Sequence, residues 1–260
     1  MLDSEKDDIR QVVRDKYSSV AQATNTDCGC STSACCRPGD ISIGLGYSQE
    51  QLAIIPEGAN MGLGCGNPLA IASLKKGEVV LDLGSGGGFD CFLAAQAVGE
   101  TGHVIGVDMT PEMVSKARQN SASAGFKNIE FRLGEIENLP VTDASVDVII
   151  SNCVINLSPE KPRVFKEAQR VLKPGGRLAI SDVVATAQLP DEITNDLALY
   201  TGCVAGAASI DELTVILRKA GFTNILIQPK DESRDFIRNW MPGMKVEDFV
   251  VSATIEAVKI

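Results

Sequence analysis

From residue 78 onward, short apolar runs alternate with longer segments that carry apolar residues at the helical period. The runs are rich in valine, isoleucine and leucine, which is typical of strands buried on both faces. The longer segments begin at helix-start signals such as Pro111 and the capping box from Ser209 to Glu212. This alternation predicts a doubly wound α/β fold with a mostly parallel sheet of seven strands.

The bounds of these elements follow from where each pattern starts and stops. The predicted strands are residues 79–83, 103–108, 129–133, 146–152, 177–183, 225–228 and 249–258. The predicted helices between them are residues 89–98, 111–124, 159–172 and 209–220.

The chain before this region is less regular. Residues 4–23 repeat apolar positions near the helical period, and Ser4 is a suitable N-cap. The next stretch, TNTDCGCSTSACCRPGD, has the composition of a loop or irregular arm. A second irregular stretch leads to a helix that starts at Pro68. We therefore expect an N-terminal helix, arm and site cap (1–67), a nucleotide-binding core (68–185) and a C-terminal part that completes the sheet and the substrate site (186–260).

Composition narrows the partners and the compartment. The 260 residues carry a formal net charge of −10, which disfavours nucleic acid and anionic membranes as partners because both repel an acidic surface. The charged N-terminus and the lack of an apolar run near the ~20 residues of a spanning helix predict a cytoplasmic protein without a membrane segment. In a reducing compartment, the eight cysteines are expected to be metal ligands, redox thiols or core residues rather than a disulfide framework.

A glycine-rich segment, Gly84-Ser85-Gly86-Gly87-Gly88, follows the first predicted strand and precedes a helix. Glycine lets the backbone approach a ligand where side chains would collide. Asp108 ends the next strand, where a carboxylate accepts hydrogen bonds from ribose hydroxyls. Structural turns and dinucleotide-binding domains use similar loops, so the loop alone does not identify the ligand.

Four ordered motifs resemble the seven-strand class I methyltransferases that depend on S-adenosylmethionine: DLGSG from Asp82, GVD ending at Asp108, GEIENLP from Gly134 and KPGG from Lys173. The resemblance covers residues 78–184 and implies a Rossmann-like core with S-adenosylmethionine across the carboxyl ends of the strands. Met109 as ordinary core and Asp108 as a helix cap are the structural alternatives. The residues implied for the donor are Asp82, Gly84, Ser85, Gly86, Asp108 on the ribose, Met109 on the adenine, Glu135 and Ile136 at the adenine edge, and Asn152 facing the methionine portion.

Three cysteines lie outside the middle of the predicted core strands, and Cys153 among them falls where the predicted fold opens onto the donor. Cys153 follows Asn152 at the end of the fourth strand, Cys65 lies between glycines before the sheet, and Cys203 follows a helix. Three converging thiolates would form a soft trigonal site for a sulfur-seeking element. A structural zinc would need a fourth ligand and usually a C-x-x-C pair, so no zinc site is expected.

The residues around these cysteines are similar to those of the arsenite S-adenosylmethionine methyltransferases. The matching segments are GCGNP at Cys65, the glycine loop through Cys91, SNCVINL at Cys153, SDV ending at Val183, and Gly202-Cys203. The likeness implies that Cys65, Cys153 and Cys203 bind trivalent arsenic, As(III), supplied as arsenite or its thiol complexes. It also implies an N-terminal redox cysteine.

The remaining cysteines are assigned separately. Cys91 lies among apolar residues of a predicted helix and is expected to be a core residue. Cys28, Cys30, Cys35 and Cys36 share the N-terminal arm, and Cys35 and Cys36 are the candidates for a redox relay. Such a relay needs an external thiol reductant such as thioredoxin or glutathione.

Two alternative functions stay open at this point. A methyltransferase for a small organic acceptor, such as a quinone, a sterol-like carbon or a natural product, explains the donor motifs but not the three cysteines. A metalloid sensor or buffer that uses the arm cysteines explains the thiols but not the glycine loop with Asp108. The only histidine, His103, starts a strand away from the donor, so Ser-His or Cys-His nucleophilic catalysis lacks its base. The sequence does not determine the oligomeric state.

Overall fold

The computed structural model describes residues 2–23, 38–194, 196–241 and 244–260. Cys28, Cys30, Cys35 and Cys36 of the predicted arm lie outside these ranges, and so does the predicted redox relay. Among the described helices, none combines the length and apolar character that crossing a bilayer requires.

Seven strands form one sheet in the order β3-β2-β1-β4-β5-β7-β6. Strands β1 to β5 run parallel to one another, whereas β7 is antiparallel to both β5 and β6. The order reverses between β1 and β4, which opens a crevice at their carboxyl ends where α/β proteins bind ligands. The strands are β1 (Val79–Leu83), β2 (His103–Asp108), β3 (Ile129–Leu133), β4 (Val146–Asn152), β5 (Leu172–Ala185), β6 (Phe222–Lys230) and β7 (Val250–Lys259).

Helices precede, connect and cover these strands. The described α-helices are α1 (Asp3–Gln22), α2 (Pro38–Gly44), α3 (Gln49–Ala53), α4 (Leu69–Ala72), α5 (Phe89–Val98), α6 (Pro111–Ala124), α7 (Lys161–Val171), α8 (Asp191–Thr194), α9 (Leu197–Thr201), α10 (Ile210–Lys219) and α11 (Arg234–Ile237). Short 3₁₀ turns occur at Ile155–Leu157, Asp231–Ser233 and Val246–Asp248.

The sheet is buried on both faces because successive side chains of its strands point to opposite sides. Leu81 of β1 belongs to the apolar cluster beneath α7 and α10, whereas the preceding Val80 belongs to the cluster beneath α5 and α6. Phe165 and Phe92 are fully buried on the two sides. Burial of such a side chain contributes about 1.5–3 kcal/mol, so the two layers hold the carboxyl ends of the strands on a rigid support.

A third apolar cluster lies apart from these two layers. It contains Cys65, Cys153 and Cys203 together with Val13 of α1, and half-buried Trp240 packs against it. Trp240 therefore packs in the same apolar cluster as these cysteines, together with Phe236 and Ile237.

The predicted bounds agree with the structure in the first four strands and in α5 and α6, and they differ in the later strands and in α1. β5 begins at Leu172 because that residue pairs with Val146 before a bulge formed by the KPGG segment. The extra residues of β6 come from its pairing with β7, a contact between distant segments that periodicity cannot reveal. The prediction of Ser4 as N-cap is wrong: the helix begins at Asp3, and the N–H of Leu2 donates to Glu5 Oε2 at 2.7 Å.

Candidate functional site

The glycine loop connects β1 to α5 in a conformation that favours glycine. Gly84, Gly86 and Gly88 have φ angles of 69°, 50° and 92°. A β-carbon on Gly84 would lie 2.5 Å from a methyl group of Val154, the residue after Cys153. The turn is completed by Asp108, whose carboxylate accepts hydrogen bonds from the N–H groups of Gly86 and Thr110, both at 2.9 Å. The loop therefore packs against both the end of β2 and the turn that carries Cys153.

A cavity of about 1110 Å³, a volume that includes its open mouth, lies above the glycine loop. Its mixed polar and apolar lining suits a nucleoside-containing ligand. Ser85 Oγ is buried and has no partner within the protein, which leaves a polar atom for a ligand to bind. Eight of the nine residues predicted for the donor line the cavity: Asp82, Gly84, Ser85, Gly86, Asp108, Met109, Ile136 and Asn152. These features fit S-adenosylmethionine.

The ninth predicted residue, Glu135, does not line this cavity. Its carboxylate pairs instead with Arg14 of α1 at 3.3 Å. Arg10 reaches the neighbouring Glu137 at 3.4 Å and Glu160 at 2.7 Å. These ion pairs fasten α1 beside the cavity.

Helix α1 contributes lining residues that the sequence did not predict. Arg10, Val13 and Tyr17 all line the cavity, and Val13 is 1% exposed. The Tyr17 hydroxyl donates to the carbonyl of Thr201 at 3.4 Å, which ties α1 to the segment before Cys203. The spacing of these three residues on one helix face was visible in the sequence, but the surface they cover was not.

The three predicted arsenic ligands lie in one apolar cluster, and Cys153 among them lines the cavity. The Sγ atoms of Cys65 and Cys153 and a carboxylate oxygen of Asp182 lie within 4.8 Å of one another. Cys203 is not part of this group, but its Sγ donates to the Cys153 carbonyl at 2.9 Å. All three thiols are buried, with exposed fractions of 1%, 6% and 3% in chain order.

Two of these cysteines have unusual backbone conformations. Cys153 and Cys203 have φ angles of 61° and 65°, in the left-handed region that non-glycine residues seldom adopt. Each such residue costs about 1–2 kcal/mol relative to an ordinary conformation. Strained residues of this kind concentrate at functional sites, where the surrounding structure holds them in place.

The turn at Cys153 is held by Asp182 at the adjacent position of β5. One oxygen of Asp182 accepts the Ile155 N–H at 2.8 Å. The other accepts Asn156 Nδ2 at 2.9 Å and the Val183 N–H at 2.7 Å. Burial raises the pKa of Asp182 to about 6. In the sequence, Asp182 stands within the SDV segment that ends at Val183, and no role was predicted for it.

The loop with Cys65 packs closely on the ends of β4 and β5. A β-carbon on Gly64 would lie 2.7 Å from Asn152 Nδ2, and one on Gly66 would lie 2.9 Å from Ser181. The Cys65 N–H donates to Asn152 Oδ1 at 3.0 Å, and its carbonyl accepts the Ser252 hydroxyl at 2.7 Å. The flanking glycines therefore allow the loop to place the thiol beside Cys153.

Asn152 also joins the cysteine region to the helix after the glycine loop. Its Nδ2 atom lies 3.2 Å from Asp90 Oδ2, 3.0 Å from the Tyr47 hydroxyl and 2.9 Å from the Gly66 carbonyl. The Tyr47 hydroxyl donates to Asp90 Oδ1 at 2.6 Å. Tyr47 and Asp90 were not among the predicted site residues, because nothing local to them signals a contact with β4.

The neutral thiol is the favoured form at this site. Neighbouring Cys203 and Cys65 raise the pKa of Cys153 well above its usual value, and burial adds to the shift. Burial also raises the pKa of Cys65. A ligand that binds here must therefore displace thiol protons or provide a group that accepts them.

Two other sequence expectations concern residues outside this cluster. Cys91 is fully buried in α5, as expected for a core residue, and its thiol lies 3.2 Å from Asp82 Oδ2. His103 starts β2, at the opposite edge of the sheet from the cavity, where its Nε2 lies 3.5 Å from Glu130.

Comparison with known proteins shows which class of protein this chain belongs to. Residues 74–221 match a family model described as a methyltransferase domain, which covers more than half of the chain. The seven-strand order, the glycine loop after β1 and the carboxylate after β2 agree with that match. The chain is a class I methyltransferase that depends on S-adenosylmethionine.

An arsenite methyltransferase of Halobacterium salinarum is 53% identical over the whole chain, which spans 68% of that protein. The chain belongs to the arsenite methyltransferase family. An arsenite methyltransferase of Aquipseudomonas alcaligenes is 42% identical over 83% of the chain, which spans 62% of that protein. The crystal structure of an arsenic(III) S-adenosylmethionine methyltransferase from Chlamydomonas reinhardtii has a TM-score of 0.64 and 34% identity, with coverage of 85% of this chain and 73% of that one. The chain thus spans about two thirds of the length of these curated relatives.

Proposed function

We propose that the chain transfers the methyl group of S-adenosylmethionine to trivalent arsenic held by Cys65, Cys153 and Cys203. The convergence of three buried thiols beside the donor cavity carries this proposal. The curated relatives, which are named for arsenite methylation, support it.

Charge balance favours arsenic over a divalent metal at these thiols. When three thiols replace the three hydroxyl groups of arsenious acid, three water molecules leave and the arsenic trithiolate is uncharged. An apolar cluster can bury a neutral complex without a counter-ion. Zinc with three thiolates would carry a negative charge there, and both oxygens of nearby Asp182 already accept hydrogen bonds from the protein.

Cys203 has to change its contact when arsenic binds. Its thiol donates to the Cys153 carbonyl at 2.9 Å in the free protein, and a thiolate has no proton to donate. Bond formation to arsenic therefore replaces this hydrogen bond, and rotation about the side chain brings Sγ towards the other two thiols. The left-handed backbone at Cys203 fixes the direction from which the thiol approaches.

The donor supplies an electrophilic methyl group on a positively charged sulfur. Three-coordinate arsenic keeps a lone pair that attacks this methyl group, while the electrons of the breaking carbon–sulfur bond stay on the departing thioether sulfur. No general base is needed at arsenic. The role of the protein is to align the two ligands, and alignment at about 3–3.5 Å can supply several kcal/mol. The Gly84–Val154 contact fixes the glycine loop against the Cys153 turn.

Methylation formally oxidises arsenic from the trivalent to the pentavalent state. Return to a trivalent product requires two electrons, which two thiols supply by forming a disulfide. We assign this step to Cys35 and Cys36, with thioredoxin or glutathione as the reductant that restores the thiols. Both the free thiols of the site and this relay suit a reducing compartment.

The test is a serine scan of the cysteines in an assay with arsenite, S-adenosylmethionine and a thiol reductant. We expect Cys153→Ser and Cys203→Ser to reduce arsenite-dependent formation of S-adenosylhomocysteine by more than about a hundredfold, since serine is a poor ligand for arsenic. Donor affinity should stay within about threefold, because neither substitution changes a predicted donor contact.

Cys91→Ser is the matched control. It replaces a buried cysteine outside the arsenic site, and we expect it to retain turnover. Full turnover on arsenite in both site variants would show that arsenic binds elsewhere. Turnover in the wild type without arsenite would indicate an organic acceptor, and tight arsenite binding without turnover would indicate a sensor or buffer.

A further inference from the structure

Asp90 is a buried carboxylate in the first turn of α5 that is held by neutral groups only. It is 6% exposed and lines the donor cavity. Its oxygens accept hydrogen bonds from the Tyr47 hydroxyl at 2.6 Å and from Asn152 Nδ2 at 3.2 Å. Among the described residues, no lysine, arginine or histidine forms an ion pair with it. A buried negative charge without a cationic partner is costly unless a ligand provides one.

The two other carboxylates of the cavity have different surroundings. Asp108 accepts two backbone N–H groups, which already compensate much of its charge. Asp82 contacts the Cys91 thiol, and burial raises the pKa of Asp82 as it raises the pKa of Asp90. Asp90 differs from both carboxylates because it contacts Asn152, the residue directly before Cys153.

Asp90 also lies close to the place where a methyl group must be delivered. Asn152 connects Asp90 to the proposed arsenic ligands, because its Nδ2 contacts Asp90 and its Oδ1 accepts the Cys65 N–H at 3.0 Å. Asn152 is also the residue directly before Cys153. The carboxylate is therefore one side chain away from two of the proposed arsenic ligands, and a sulfonium that reaches arsenic has to pass near it.

We propose that Asp90, positioned by Tyr47 and Asn152, is the counter-ion of the sulfonium centre and makes the cavity prefer the charged donor over the uncharged thioether product. This inference rests on the proposed function, because the arsenic ligands define where the sulfonium must lie. The ammonium group of the methionine portion is present in both donor and product. Only the sulfonium charge distinguishes the two, so a counter-ion placed at the ammonium would not discriminate between them.

The experiment measures dissociation constants of S-adenosylmethionine and S-adenosylhomocysteine by calorimetry without arsenite. We expect Asp90→Asn to weaken donor binding roughly tenfold, a modest part of the Coulomb attraction between charges a few ångströms apart. Binding of the product should stay within about twofold. Tyr47→Phe should shift the same ratio in the same direction by a smaller factor.

Asp147→Asn is the matched control for this substitution. Asp147 lies at the start of β4, at the opposite edge of the sheet, and pairs with Lys173 at 2.8 Å. Its substitution should leave the ratio of the two dissociation constants unchanged.

Equal weakening of donor and product by Asp90→Asn, or no weakening of either, would overturn the proposal. Thermal unfolding of the unliganded variants guards against a purely structural effect, and we expect Asp90→Asn to unfold at or above the wild-type temperature because a buried charge is removed. Since these measurements contain no arsenic, their failure is distinct from a failure of the wild type to methylate arsenite.

Discussion

The donor cavity and the cysteine cluster meet at one edge of the sheet, yet the chain builds them in different ways. The floor of the cavity comes from one continuous segment, the end of β1 and its glycine loop, with Asp108 on the neighbouring strand. The cluster draws Cys65, Cys153 and Cys203 from segments far apart in the chain, and the last two are 50 positions apart. A local motif can therefore specify the first region, whereas the second exists only when the sheet has formed.

The two regions also differ in how their polar groups are held. Around the glycine loop, backbone N–H groups and glycines perform most of the positioning, so few side chains are required. At the cysteines, buried side chains such as Asp182 and Asn152 fix strained or closely packed backbone. The cysteine region should consequently be the more sensitive of the two to single substitutions of its supporting residues.

The largest effect on stability and arsenite binding is expected from Asp182→Ala, which removes a support of the cysteine region. The substitution leaves the N–H groups of Ile155 and Val183 and the amide of Asn156 without their buried acceptor. We expect a loss of about 3 kcal/mol or more in the free energy of unfolding. Arsenite binding should fall with it, because the Cys153 turn loses its support. Urea unfolding and equilibrium dialysis of arsenite check the two outcomes.

Asp182→Asn provides the graded control for this prediction, since it keeps one acceptor oxygen and removes the charge. We expect its stability to lie between those of the wild type and of Asp182→Ala. Unchanged arsenite binding in the alanine variant would mean that the carboxylate does not hold the Cys153 turn.

A smaller effect, on donor binding rather than on arsenite binding, is expected from Asp108→Ala in the donor region. The substitution removes the acceptor for the N–H groups of Gly86 in the loop and Thr110 after β2, and also the proposed partner of the ribose hydroxyls. Donor affinity should fall by roughly 10- to 100-fold, in line with the loss of charge-assisted hydrogen bonds. Arsenite binding should persist. Calorimetry with each ligand separately measures both, and Asp143→Ala at an exposed site is the control. An equal loss of both ligands would show that the two regions do not act separately.

The smallest effect on stability and donor affinity is expected from Arg10→Met. Arg10 belongs to α1, the helix that lies next to both regions. Arg10 pairs with Glu160 at 2.7 Å and Glu137 at 3.4 Å, and Glu137 retains the Ser158 hydroxyl at 2.6 Å if the arginine is removed. We expect a loss of about 1–2 kcal/mol in unfolding free energy and a donor affinity lowered by a few-fold. Arg163→Met, which removes a weaker partner of the same Glu160, should change neither quantity. Urea unfolding and donor calorimetry test this pair, and equal effects of the two substitutions would show that α1 is not fastened through Arg10.

Much of the fold was predictable because its signals are local. β1 to β4 have the predicted bounds, since each is a short buried run between turn residues. The α5 and α6 helices also match their predicted ranges. The extra length of β5 and β6 escaped prediction because it depends on pairing with β4 and β7, and the N-cap of α1 escaped because Glu5 closes on the backbone of Leu2.

The site was predictable to a similar extent and for the same reason. Eight of the nine predicted donor residues line the cavity because they belong to motifs that fix a local turn or strand end. Glu135 instead contacts Arg14, a residue of the distant α1 that competes for the carboxylate. Tyr47, Asp90 and Val13 were not predicted as site residues, because each reaches the site through a contact with a remote segment.

By itself, the sequence determined the alternation of strands and helices and the glycine loop after β1, and it singled out three cysteines as candidate ligands. Residue spacing and glycine content govern local backbone geometry, and these are written directly into the chain. Only the tertiary structure decided that Cys65 and Cys153 lie together with Asp182, that the Cys203 thiol contacts the Cys153 carbonyl, and that α1 borders the cavity. These contacts join segments far apart in the chain, and their geometry depends on how the whole sheet and its covering helices pack.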